Sequence, residues 1–419
     1  MIGRWGPVTL TYGRKTGWSM NRQKKIVIVL CLAGLLLGLS GCNESRAQKK
    51  QAMVEQWEKS SAHAQLPAIE NLLEQGQIQE AKEALQKCIQ TDPQQAMPYV
   101  LVGRIHFMEG RDERARESFQ KAVELDPQLD QAWHFLGSLA VLEKDYDHAI
   151  KYFQGAIDLM PSKVEYILSL CDVYAETDQL DKAMKLIDQG ISRQPRNVEL
   201  LLFRAQICRR NGQVDEAIRI YEQALLMHGN LPQILEPCGY AFITRKQWMA
   251  AAEKFNLLID QYVENDPRYN VTMRSLAMCL FNSEQFGQAF FWYDKLSVIY
   301  RDDAEVWLKM AQASLGLDDP KRASYCAVNA LKAKPSWPKA YAVLGSARYM
   351  QGLYEQSLQA FYKITDDAEL GAFAWFMSGR CYQQLGQSRQ ANAAFEKAEQ
   401  LDPDNELIAS FLKKTIHPL

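Results

Sequence analysis

Small and large apolar positions recur along this chain every 34 residues, from Ala62 to Asn405. Within each period two amphipathic stretches alternate with short polar turns, which predicts paired helices. Small side chains fall at positions 8 and 20 of each period, where two helices must cross closely, and a large one at position 24 fills the adjoining space. Proline near position 32 ends the second helix, because it lacks an N–H and restricts the residue before it. The period 130–163 shows this best, with Trp133, Leu136, Gly137, Ala149, Phe153, Ala156 and Pro161. Periods 96–129, 304–337 and 372–405 repeat the pattern clearly; 164–197, 198–231, 232–265, 270–303 and 338–371 carry it more weakly. The first, 62–95, keeps only Ala81, Leu85 and Pro93 and reads as a cap.

Helix pairs repeating at this length resemble tetratricopeptide repeats. The resemblance implies an all-α fold, a right-handed superhelical solenoid of about ten TPR helix pairs whose surface holds other proteins. Glu406 to Lys414 (ELIASFLKK) predicts a C-terminal capping helix over the last pair. The register breaks once, at Asp266 to Tyr269, and Pro232 and Pro237 fall in the expected first helix of the unit before it. An irregular joint is expected there, dividing an N-terminal half-array (62–265) from a C-terminal one (266–405), with 406–419 as cap and tail.

The apolar pattern changes character before Ala62. Arg22, Lys24 and Lys25 precede an unbroken apolar and glycine run from Ile26 to Leu39, too short for a membrane-spanning helix but fitting a signal-peptide core. Leu39-Ser40-Gly41-Cys42 follows and resembles the lipobox of a bacterial lipoprotein. That resemblance implies a signal peptide over 1–41, cleavage before Cys42, acylation at Cys42 and a membrane anchor through its acyl chains. Asn43, where an Asp would signal inner-membrane retention in enterobacterial lipoproteins, favours the outer membrane, with the repeats facing the periplasm. Met20 supplies a conventional signal start, so residues 1–19 are expected to be an upstream mis-start. Residues 42–61 read as a lipidated polar tether, partly helical around Met53 to Trp57.

Charge and chemistry narrow the function further. Lys+Arg is 48 and Asp+Glu 50, with no basic stripe, so nucleic-acid binding lacks its electrostatic driving force. Beyond Cys31 and Cys42, seven cysteines are spread through the array without a C-x-x-C pair; they read as buried small apolar residues rather than disulfide or metal sites. No pair of histidines has metal-ligand spacing, and His106 falls at a packing position. No phosphate-binding loop, nucleophile elbow or dinucleotide fingerprint is present. The reading is of a protein that is not an enzyme, with no cofactor, no metal and no small-molecule substrate.

What remains is the groove. In tetratricopeptide arrays it is lined by the first helix of each pair, at positions 2, 5, 9, 12 and 13. Those positions here include Val100, Arg104, Phe107 and Met108, then His134, Val141 and Leu142. Arg209 and Arg210 follow, then Tyr240, Met278 and Phe281. The C-terminal units add Tyr349, Met350, Phe373, Phe376 and Arg380. Apolar and aromatic side chains at positions expected to face solvent mark a partner surface. The Lys/Asn carboxylate clamp of chaperone-binding relatives is absent, so a free C-terminal carboxylate is not the expected ligand.

Together these features predict a membrane-anchored scaffold that binds envelope proteins in its groove and assists assembly of an envelope complex: a pilus or secretin, polysaccharide export, or outer-membrane machinery. Two alternatives stay open. One is an adaptor recruiting peptidoglycan hydrolases; the other is an inner-membrane-anchored regulator with cytoplasmic repeats, whose relatives carry a C-terminal C-x-x-C pair that this chain lacks.

Overall fold

The computed structural model describes residues 46–263 and 266–406. Cys42, the signal segment and residues 407–414 of the expected closing helix lie outside the described residues. Helices and turns make up what is described, in two compact units, one ending at Asp126 and the other beginning at Pro127.

The first unit contains α1 (Arg46–Glu74), α2 (Ile78–Thr91), α3 (Ala96–Met108) and α4 (Asp112–Leu125). Along α1, Ala62, Leu66, Ile69 and Leu73 are spaced to share one face, and they are buried against Leu85 of α2 and Leu101 and Ile105 of α3. The stretch 46–61, read as a polar tether partly helical around Met53 to Trp57, continues α1 without interruption along its whole length. Its sequence holds no Gly or Pro and is dominated by strong helix formers, so the packed half of the helix extends into it. Met53 and Trp57 on this extension are each 70 % exposed.

The second unit begins with α5 (Asp130–Leu142), α6 (Tyr146–Leu159), α7 (Val164–Glu176), α8 (Leu180–Arg193), α9 (Val198–Arg210) and α10 (Val214–His228). It continues with α11 (Pro232–Thr244), α12 (Trp248–Ile259), α13 (Pro267–Asn282), α14 (Phe286–Ile299) and α15 (Ala304–Gly316). It ends with α16 (Pro320–Ala333), α17 (Pro338–Met350), α18 (Tyr354–Phe361), a 3-10 turn over Tyr362–Ile364, α19 (Gly371–Gln384) and α20 (Ser388–Leu401). Odd-numbered helices open each pair and even-numbered helices close it.

The repeat is written into the backbone of the turn inside each pair. Gly76, Gly110, Lys144, Asp178, Gly212, Lys246, Glu284, Asp318, Gly352 and Gly386 all have left-handed φ, between 56° and 77°. Successive members are 34 residues apart except for Lys246 to Glu284, which are 38 apart and so carry the insertion. Half of these positions hold residues other than glycine, for which the conformation is strained. Lys246→Gly is therefore expected to raise stability by about 0.5–1 kcal/mol, read as a higher urea midpoint with unchanged cooperativity.

Inside each pair the crossing is closest where position 8 is glycine. A Cβ built on Gly103, Gly137, Gly239, Gly345 or Gly379 would lie 2.5–2.8 Å from the ring at position 24 (Phe119, Phe153, Phe255, Phe361 or Phe395). Position 20 is fully buried throughout; where Ser357 replaces the usual Ala, its hydroxyl donates to the Gly345 carbonyl at 2.7 Å and receives the Cys381 thiol at 3.3 Å. Aromatic side chains at position 4 pin the preceding turn: Tyr99 donates to the Pro93 carbonyl, Trp133 to that of Pro127 and Trp307 to that of Arg301.

The expected joint is packed. Pro232 sits at the start of α11 and Pro237 inside it, yet the helix keeps 13 residues. Pro237 forfeits the bond to the Gln233 carbonyl, near the solvent-exposed start of the helix. The insertion is taken up in the turn and in a longer α13 of 16 residues, which Asp266 caps by accepting from the Arg268 N–H at 2.8 Å. Apolar packing runs without a gap from Leu201 to Ala360, across the insertion.

Candidate functional site

Neighbouring opening helices touch along the second unit, and side chains there make rungs between them. His134 of α5 stacks on Tyr166 of α7, ring centroids 4.6 Å apart, and its Nε2 lies 3.0 Å from Ser169 Oγ. The Tyr240 and Ser275 hydroxyls of α11 and α13 are 3.4 Å apart. Lys309 Nζ of α15 sits 4.5 Å above the Phe281 ring of α13, and the Arg380 guanidinium of α19 lies 5.1 Å from the Tyr349 ring of α17.

Burial corrects the sequence reading at two residues. Val100 and His134 were expected to face solvent, but Val100 is fully buried and His134 is 8 % exposed. For His134 the reason is visible. Position 5 lies on the flank that meets the next opening helix, and burial among rings pulls the imidazole below its ordinary pKa, favouring the neutral form. His106, expected in a packing position, is half-buried with its Nδ1 3.8 Å from Glu109.

Most of the others keep an accessible edge. In the first unit Arg104 and Phe107 are half-buried and Met108 is exposed. In the second, Leu142, Arg209, Arg210, Met350 and Phe373 are exposed, and Val141, Tyr240, Met278, Phe281, Tyr349, Phe376 and Arg380 are half-buried. Rings in this set rest edge-on against core rings: Tyr240 on Phe255 and Phe373 on Phe361, with centroids 5.2 and 5.8 Å apart. The supported rings are held in place while one side remains open.

Charged residues on the same helices add to this surface. Asp172 and Glu176 lie one turn apart on α7. Asp172 keeps contact with water, but the protein around it and then the like charge of Glu176 push its carboxyl up to about 6. Its ionised form is thus disfavoured in the folded state, a penalty present above about pH 6 and released as pH falls toward the ordinary carboxylate value. Asp172→Asn is accordingly expected to raise the melting temperature at neutral pH and to change nothing near pH 4, measured by thermal melts across that range. Lys309 and Lys339, at positions 6 and 2 of their units, were also missed; Lys309 falls outside the five positions read, and Lys339 falls on one of them, where apolar and aromatic residues were sought rather than charge.

The chemistry elsewhere is quiet. All seven described cysteines are buried, and burial pushes the thiols of Cys171, Cys238, Cys279 and Cys326 up to about 12. Among the described residues no three His, Cys, Asp or Glu side chains are grouped to hold a metal. No described helix is long and apolar enough to cross a membrane.

Tetratricopeptide-repeat family models match residues 72–139, 140–207, 200–233 and 372–405. The chain carries tetratricopeptide repeats, folded as an all-α solenoid, and proteins of such repeats are protein–protein interaction scaffolds. Among solved structures, a tetratricopeptide repeat protein from Parabacteroides merdae is similar at 18% identity, over 60% of this chain and 98% of that one, with a TM-score of 0.39. The Cut9-Hcn1 hetero-tetramer of the APC/C is similar at 12% identity, over 84% of this chain and 83% of that one, with a TM-score of 0.37. MamA from Desulfovibrio magneticus is similar at 18% identity, over 40% and 93%, with a TM-score of 0.36. A comparison with curated proteins finds no match.

Proposed function

We propose that this chain is a lipid-anchored scaffold that holds envelope proteins in the groove of its opening helices and assists assembly of an envelope complex. The observation that carries the binding half is the set of ring-supported aromatic and methionine side chains left open on α11, α13, α17 and α19. The lipobox sequence at 39–42 supports the anchor, and acyl chains on Cys42 would confine the groove to the membrane surface, outer membrane and periplasmic side. Binding would draw on apolar burial, with no cofactor and no covalent chemistry. The reading is non-catalytic.

Photo-crosslinking in the native bacterium tests the groove. A crosslinkable residue at Phe281 or Phe376 is expected to give defined protein adducts, and one at Lys151, exposed on a closing helix, is expected to give none. Adducts from Lys151 alone would sink the reading. Cys42→Ser tests the anchor separately: the chain is expected to leave the membrane fraction, and unchanged sedimentation with membranes would refute acylation.

A further inference from the structure

The opening-helix face of the second unit changes charge along its length. From α7 to α11 it presents Glu165, Asp172, Glu176, Glu199 and Glu236, and among the described residues Asp172, Glu176, Glu199 and Glu236 have no ion-pair partner. Arg209 and Arg210 offset them only at the exposed end of α9. From α13 to α19 the balance reverses. Arg274 is matched by Asp303 at 2.8 Å, but among the described residues Lys309 and Lys339 have no carboxylate partner. Glu305, exposed, is the carboxylate at the groove positions of this stretch.

The cations are placed for a ligand. Lys309 lies over the Phe281 ring and Arg380 over the Tyr349 ring, so each cation shares its site with an apolar surface. A Lys held on a ring still offers its remaining N–H donors outward. Exposed Met350 and Phe373 flank these rungs. An apolar side chain could pack on the open rings while an adjacent carboxylate meets the Lys309 ammonium.

We infer that the groove from α13 to α19 takes a protein segment in which carboxylates alternate with large apolar side chains, and that the carboxylate-lined stretch from α7 to α11 turns the same segment away. The inference rests on the groove being the partner surface, and it names the chemistry of the partner there. Attraction at one end and like-charge repulsion at the other set where along the array the segment binds.

The test uses the full chain carrying Cys42→Ser and two fluorescent synthetic peptides. The peptides share the same Phe and Leu positions and carry either Glu or Lys at every other position. The Glu peptide is expected to bind about tenfold more tightly by fluorescence anisotropy, with affinity falling as salt rises. It should crosslink to a photoreactive residue at Phe281. Lys309→Glu combined with Lys339→Glu is expected to remove that preference, while Glu165→Lys with Glu199→Lys is expected to let the Glu peptide crosslink to a photoreactive residue on α9 as well; circular dichroism verifies that both variants stay folded. Equal affinities, or tighter binding of the Lys peptide, with crosslinking at Phe281 in both cases, would overturn the charge assignment and leave the groove reading standing. Binding of either peptide without crosslinking at Phe281, or no binding of either, would overturn both.

Discussion

Phe153→Ala is expected to lower the free energy of unfolding by about 3–5 kcal/mol. The ring is 2 % exposed and fills the space that Gly137 leaves by having no side chain, with the His134 ring 5.3 Å from it. Removing it opens a cavity the size of a phenyl ring inside the α5–α6 pair, and helices held by packing against α7 collapse poorly into such a space. The opposite error is also harmful. Gly137→Ala would place a Cβ 2.6 Å from the same ring, forcing ring or helix to shift, for about 1–3 kcal/mol. The two losses should not add. With Phe153 already Ala, the new methyl enters an empty space, and Gly137→Ala becomes neutral or stabilising. The chain contains such alternatives already: Ala205 is paired with Tyr221, and Ala311 with Ala327. Urea denaturation followed by hydrogen exchange at α5–α7 measures this, since a repeat array does not guarantee a single two-state transition. Strictly additive losses would refute the interlock between positions 8 and 24.

That interlock explains why the fold was legible in the sequence. Positions 8, 20 and 24 are set by steric contact between two helices of one pair, and contact of that kind tolerates few residue types. Their spacing therefore survives even in units that have lost Trp or Pro. The turn residue at position 15 was not legible, because half of its members are Lys, Asp or Glu, which carry no mark of left-handed backbone. The helical character of residues 46–61 was hidden by polarity. Polar residues signal solvent, and α1 shows that a solvated segment can be helical when a packed helix follows it.

The groove was legible only in part, for a related reason. Aromatic side chains on opening helices are unusual enough to notice, and Tyr240, Phe281, Tyr349 and Phe376 do keep an open edge. Position 5 misled because it sits between the solvent side and the next opening helix, and only the neighbour decides which wins. His134 is buried because α7 brings Tyr166 against it. Lys309 was missed because its role depends on Phe281, 28 residues earlier, a pairing that spans two repeats. Features set within one pair can be read from one period of sequence; features set between pairs require the stack.

Stacking also governs the second large effect. Ala251→Asp is expected to unfold the middle of the second unit, with its neighbours following. Ala251 is fully buried at position 20, inside the continuous core that runs from Leu201 to Ala360. A carboxylate there has no partner, and an unpaired buried charge costs several kcal/mol even after the group takes up a proton. That exceeds what one helix pair holds on its own, since each pair draws much of its stability from the interfaces on either side. The same change at Ala391, in the last described pair and 3 % exposed, has a neighbouring pair on one side only among the described residues. Hydrogen exchange is therefore expected to show lost protection from α10 to α13 for Ala251→Asp, and only in α19 and α20 for Ala391→Asp, while α1 to α4 stay protected in both. Charge buried at the centre disturbs two interfaces; charge buried in the last described pair disturbs one among the described residues. If both variants lost protection uniformly along the chain, the units would be a single cooperative block, and stability could not be treated as a sum over neighbouring pairs.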